Sequence, residues 1–335
     1  MRRRTLLLGL AATAGAGSLA ACTASESGVP ASASAPVSAS PSAVPILGSL
    51  SDSTLAPVSV SSAYRPAPGR APANAFAVGR QVLQFARGAD RPLPTTVWYP
   101  AGGTPPAGGP APVDNASPAR GRFPLVVFSH GLTSQPGDYA AMLSRWAQAG
   151  FVVAGPTYPH TSYGVANYYA LDIVNQPADA SAVLDAMLAL DSPLGAAVDP
   201  GRIAAAGHSG GGITTVGMFS AQRDERLKAG VVLAGTDFQA TPFTGPTAAM
   251  LFIHGRRDET VQYRAGHAVY AAVPWSRAML SITDGGHVTS GDDFEATTAT
   301  ATEFLRWSLY GDAAAKARIP GAAAVNDVAT LENEL

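Results

Sequence analysis

Residues 123–128 form an unbroken apolar run, the pattern of a strand buried on both faces. Shorter runs of the same kind recur at 151–154, 203–206, 230–234, 250–253 and 279–282. Helical spacing fills the gaps. Residues 139–148 form one such stretch, with Gly150 as its C-cap. In 177–190, Ala180, Val183, Leu184, Met187 and Leu188 share a face, and Pro177 stands near the start. Further helices are predicted over 210–220 and 263–272, with a closing helix over 294–310. An early strand at 95–99 is read as ending at Pro100, before a Pro/Gly-rich loop over 101–121. Strands that alternate with helices imply an α/β domain with a mostly parallel sheet covered on both faces. In such sheets chemistry gathers in the loops at the carboxyl ends of the strands.

The first 63 residues follow another pattern. Arg2, Arg3 and Arg4 precede an uncharged stretch that is too short and glycine-broken to span a membrane comfortably. It ends Leu19-Ala20-Ala21-Cys22, which resembles a bacterial lipoprotein signal over 1–22 with Cys22 as the lipidated residue. The paired arginines before Thr5-Leu6-Leu7 also resemble a twin-arginine export signal. Residues 23–63 are Ser-, Ala- and Pro-rich and are expected to be a disordered tether, with a mean reach of about 35 Å. The catalytic domain is then 64–335. These features predict an exported protein, anchored to the outer face of the cell membrane through Cys22 or secreted.

Composition narrows the choices. The 335 residues are 47% hydrophobic and 14% charged, which fits a folded domain. A net charge of −2 argues against nucleic acid as a partner. The single cysteine excludes an intrachain disulfide and a Cys-rich zinc site.

The loops supply the chemistry. After the run at 203–206 comes Gly207-His208-Ser209-Gly210-Gly211-Gly212, a G-x-S-x-G pattern between a strand and a helix. Such a turn lifts a serine hydroxyl above the sheet, and its glycines let strand and helix approach closely. No Gly-Lys-Ser/Thr follows, which argues against a phosphate loop. Ser209 is therefore the candidate nucleophile and needs a base. Among the six histidines, His287 follows the last apolar run on a Gly-Gly turn, where the order Ser, acid, His places the base. His208 is expected to point away from the serine across the turn. His160 and Tyr163 lie in a long aromatic loop and are candidate substrate-lining residues, as is His208. Asp258 is the favoured acid, Asp237 its rival, and Asp284 stands too close to His287 in sequence. The oxyanion donors are expected to be the N–H groups of Gly210 and Leu132. Only residues 238–249 separate two core runs, which leaves no room there for a large cap.

Together these residues resemble the α/β-hydrolase superfamily. The chain is similar to its dienelactone-hydrolase-like and platelet-activating-factor-acetylhydrolase-like serine esterases, which border the bacterial cutinases and polyester hydrolases. The likeness spans roughly 90–312. It is carried by 91–100, Val127-Phe128-Ser129-His130-Gly131, 207–212, His254-Gly255-Arg256-Arg257-Asp258 and Gly286-His287. It implies an α/β-hydrolase fold and carboxylic-ester hydrolysis by a serine triad with no cofactor; no metal is expected, and the protein is expected to be a monomer. The substrate would be a small-molecule, lipid or polymer ester. Dienelactone hydrolases proper use cysteine where this chain has Ser209. Polyester hydrolases carry Met after the nucleophile and an aromatic residue in the oxyanion loop, where this chain has Gly210 and Leu132. The alternatives are a polyester hydrolase, a peptidase or amidase with the same triad, and a non-catalytic envelope lipoprotein.

Overall fold

The computed structural model describes residues 55–335. The expected export segment, Cys22 and most of the expected tether lie outside the described residues. Ten strands of one sheet run in the order β10-β9-β8-β7-β6-β4-β5-β2-β1-β3. The central strands are β4 (Phe123–Ser129), β5 (Val152–Pro156), β6 (Val198–His208), β7 (Leu227–Leu233), β8 (Ala249–Gly255) and β9 (Arg277–Ile282), and all their mutual pairings are parallel. Their apolar runs are continuous because helices cover both faces. One core layer holds Leu125, Val127, Ile203 and Phe252, and the other holds Val126, Phe128, Leu251 and Phe304. Burying such side chains contributes about 1.5–3 kcal/mol each before entropy is counted.

The helices that follow these strands are α1 (Ala140–Gln148), α2 (Gln176–Leu188), the short α3 (Pro193–Ala196), α4 (Gly210–Gly217) and α5 (Tyr263–Ala271). A one-turn 3-10 segment, Pro136–Tyr139, leads into α1. Another, Ala170–Asn175, leads into α2. No helix interrupts the connection from β7 to β8, in agreement with the missing cap. Among the described residues, no helix is long and apolar enough to cross a membrane.

The periphery departs from the sequence expectations. The helix expected to close the chain, α6 (Gly291–Tyr310), is followed by α7 (Ala313–Ala323) and by β10 (Ala329–Glu334), antiparallel to β9. At the other edge, β1 (Ala77–Arg87) pairs antiparallel with β2 (Arg91–Ala101), and β3 (Val113–Asp114) adds a short rung within the expected loop. β10 exposes Thr330, Glu332 and Glu334, and Arg80, Gln81 and Gln84 interrupt β1, so no continuous apolar run marks either strand. β2 runs through Pro100 instead of ending at it. On its β5 side only Thr95–Trp98 are paired, so Pro92, Pro94 and Pro100 withhold no donor from that ladder.

Two features bear on the site from a distance. Arg91 bonds Asp172 and Asp179, and Arg87 Nε meets Asp179 Oδ1 at 2.7 Å, which ties the first hairpin to α2 and the 3-10 segment before it. Packing also begins before Tyr64. Val58 N–H donates to Ala271 O at 2.8 Å and Ser61 N–H to Pro274 O at 2.9 Å. The domain's contacts therefore extend into residues expected to belong to the tether.

Candidate active site

Strand β6 delivers Ser209 at its carboxyl end, and α4 begins with the next residue. Ser209 has φ 56° and ψ −119°, a conformation that costs a non-glycine residue about 1–3 kcal/mol. The surrounding packing enforces the turn. A methyl group on Gly207 would strike the Gly211 carbonyl, and one on Gly211 would strike the Ser129 carbonyl. Strand and helix come this close only without side chains there, as the G-x-S-x-G spacing predicts.

The three residues expected from sequence come together. His287 Nε2 lies 2.9 Å from Ser209 Oγ, and His287 Nδ1 lies 2.7 Å from Asp258 Oδ2. Asp258 accepts the Nδ1 proton, which leaves Nε2 as the basic nitrogen facing the hydroxyl. The loops after β8 and β9 are joined directly. Arg256 N–H donates to Ile282 O and Arg257 N–H to Gly285 O, each at 2.9 Å. This pairing fixes Asp258 beside the His287 turn although the two residues stand 29 positions apart.

Asp258 is buried, which by itself raises a carboxyl pKa. Hydrogen bonds from His254, His287 and the Val261 N–H outweigh that effect and hold it well below the usual carboxylate range. Oδ1 accepts from the Thr260 and Val261 N–H groups at 2.8 and 2.9 Å. His254 Nε2 donates to Val261 O at 2.8 Å and lies 3.2 Å from Asp258 Oδ2. His254 is thus a second imidazole on the acid, a role that the sequence pattern did not assign. The spacing of four between His254 and Asp258 was the available signal.

The rival acids are occupied elsewhere. Asp237 Oδ2 accepts from Ala240 N–H at 3.1 Å, and none of its hydrogen bonds among the described residues reaches His287. Asp284 pairs with Arg257 at the surface.

The Leu132 and Gly210 segments face each other. A methyl group on Gly210 would stand 3.0 Å from Leu132 Cγ and 3.3 Å from Ile173 Cδ1. Neither the Leu132 nor the Gly210 N–H has a hydrogen-bond partner among the described residues. Around them Ile173, Ile213 and Val261 pack with Leu132, Val174 and Phe238 into an apolar wall.

The candidate lining residues separate. Tyr163 is exposed, and its N–H donates to Ser134 O beside the Leu132 segment. His160 Nδ1 sits 3.2 Å from Asn167 O and thereby closes its own loop. His208 does not turn away from the site as expected. Its ring lies 4.9 Å from that of His287, and its Nε2 donates to the His287 carbonyl at 2.7 Å. The reason is that His287 returns over the elbow and offers a carbonyl acceptor there. His208 and Tyr139 also border a cavity of about 230 Å³ with Met142, Leu233, Val288 and Phe294.

Burial pushes the pKa values of both His130 and His208 down to about 4. His130 is enclosed by the Gly131 carbonyl at Nδ1 and by Tyr158 N–H and Ser162 Oγ at Nε2. The unfolded chain binds these protons near 6.5, so it is the more protonated state between pH 6.5 and 4. Folding stability is then fully present above about 6.5 and falls as pH drops through this window, by up to about 3 kcal/mol per histidine. Thermal unfolding from pH 7 to 4 should show a falling Tm, with a shallower fall in His208→Gln. A flat wild-type profile would contradict this account.

Comparison with known proteins agrees with the geometry. The chlorophyllase family model matches residues 103–240, a stretch that contains Leu132 and Ser209 and ends before Asp258 and His287. No curated protein matches the chain. Among solved structures, a ferulic acid esterase from Streptomyces cinnamoneus is similar at 22% identity with a TM-score of 0.59, over 72% of this chain and 92% of that one. The fold is that of the α/β-hydrolases. Neither match reaches the particular subfamilies that the motifs resemble.

Proposed function

We propose that this α/β-hydrolase-fold protein is a serine carboxylic-ester hydrolase that works through an acyl-enzyme on short to medium acyl esters or lipid esters. The observation that carries the reading is the continuous series Asp258, His287, Ser209, bonded at 2.7 and 2.9 Å, beside two backbone N–H groups without a partner among the described residues.

In this mechanism Ser209 Oγ attacks the ester carbonyl while His287 Nε2 takes its proton. The carbonyl oxygen becomes an oxyanion and accepts from the Leu132 and Gly210 N–H groups. Donors held by the backbone in this way would need little reorganisation as the charge develops. The resulting imidazolium is stabilised by Asp258, which His254 and two backbone N–H groups keep ionised. His287 then gives its proton to the leaving alcohol. The same imidazole deprotonates a water that attacks the acyl-enzyme, and Ser209 is released with its proton restored.

Support for an ester over an amide comes from the named activity of the similar solved enzyme. The uncapped connection after β7 supports an open cleft that tolerates several acyl lengths. Export remains part of the proposal through the lipoprotein-like segment ending at Cys22.

The test is turnover of p-nitrophenyl esters from acetyl to palmitoyl beside p-nitroanilides of the same acyl groups. Rapid cleavage of acetyl to octanoyl esters with negligible anilide cleavage is expected. Cleavage of anilides alone would replace the esterase by a peptidase or amidase. Failure on every substrate, with no labelling of Ser209 by a fluorophosphonate, would favour a non-catalytic protein.

A further inference from the structure

The His287 turn and the Leu132 segment come from strands with no direct pairing. In the sheet, β9 and β4 stand four positions apart, about 19 Å at ordinary strand spacing. Ladder bonds therefore do not set how the base sits relative to the oxyanion donors. Catalysis depends on that distance, because a 1 Å misplacement can cost about 10²-fold.

One chain of hydrogen bonds crosses the gap. Gly131 N–H donates to the Tyr139 hydroxyl at 3.1 Å. Tyr139 Oη lies 2.9 Å from His208 Nδ1, and His208 Nε2 lies 2.7 Å from the His287 carbonyl. The polarity is forced at both ends. A backbone N–H can only donate, so the one Tyr139 proton goes to Nδ1. A carbonyl can only accept, so the His208 proton sits on Nε2. His208 is thus a neutral ring whose two nitrogens are both occupied. Its neighbour Ser209 is the attacking residue, while Gly131 precedes Leu132.

We propose that Tyr139 and His208 are positioning residues that hold the His287 backbone at a fixed distance from the Leu132 oxyanion segment. The proposal rests on the serine-hydrolase reading of the same site. Asp258 aims the His287 ring, and His208 fixes the main chain that carries it. The Gly285-Gly286 approach to His287 lies outside any helix or strand, so it gains most from such an anchor. Neither side chain bonds Ser209 Oγ or His287 Nε2 among the described residues, so both act through the residues they hold.

The experiment compares Tyr139→Phe, His208→Leu and His208→Gln with wild type on p-nitrophenyl butyrate. Phe removes only the hydroxyl, and Leu removes both nitrogens at similar bulk. Gln keeps one acceptor and one donor, so it can span the same two partners. Tyr139→Phe and His208→Leu are expected to lose about 10- to 100-fold in kcat with KM within about threefold. The rate of Ser209 phosphonylation by a fluorophosphonate should fall in parallel. His208→Gln should recover most of the loss. A kcat within about twofold of wild type in both Tyr139→Phe and His208→Leu overturns the proposal. A loss that follows Tm alone, equal in Leu and Gln, also overturns it by showing a merely structural role. A wild type inert to all esters and to the fluorophosphonate removes the hydrolase reading itself. An active wild type with indifferent variants removes the positioning role alone.

Discussion

Ser209→Ala is expected to lower kcat on p-nitrophenyl butyrate by about 10⁵- to 10⁶-fold and to leave the fold intact. The size follows from the order of events. Without Oγ no acyl-enzyme forms, and His287 and the oxyanion donors can only assist direct attack by water. Residual catalysis above background should survive, because Leu132 and Gly210 still offer their N–H groups. Stability should change by under about 1 kcal/mol, since the hydroxyl's one partner among the described residues is the part-buried His287 imidazole. Alanine keeps the Cβ and hence the strain at φ 56°. Ser209→Gly should be equally inactive yet more stable, because glycine adopts positive φ without that penalty. Chemical denaturation of the three proteins checks the stability order, and single-turnover kinetics check the activity. Near wild-type turnover by Ser209→Ala would end the assignment of the nucleophile.

Asp258→Asn is expected to cost about 10⁴-fold in kcat, with KM little changed. The asparagine Oδ1 can still accept from the Thr260 and Val261 N–H groups, so the loop should keep its shape. Its amide would donate toward His287 Nδ1, where the carboxylate accepted. The imidazole proton then moves to Nε2, and the nitrogen facing Ser209 ceases to be a base. The negative charge that offsets the imidazolium is lost as well. Asp237→Asn should leave kcat within about twofold, since its carboxylate serves a turn with Ala240. The reverse pattern in a side-by-side assay would move the acid from the loop after β8 to the loop after β7.

Much of this site is legible in the chain because the fold imposes a local signature on each loop. Ser209 announces itself by glycines at 207 and 211, where the backbones touch. His287 announces itself by its place after the last core strand, and Asp258 by its place after β8. The edges are harder to read. β1, β10 and α7 meet solvent on one side, so their sequences need no continuous apolar run. The roles of His208 and Tyr139 were also hidden. They depend on a hydrogen bond between residues 69 positions apart and on bonds to the Gly131 and His287 backbone, and side-chain spacing carries no record of a backbone partner.

Local chemistry alone therefore determined the layered α/β order, the strained serine turn and the types of acid and base, since each follows from short-range periodicity or from a turn that only certain residues permit. The meeting of Asp258 with His287, the partners of the His287 and His208 rings, and the spacing between the Leu132 and His287 loops appear only in three dimensions. Those properties are distances between loops from non-neighbouring strands, and nothing but the packed sheet brings such loops within hydrogen-bonding range.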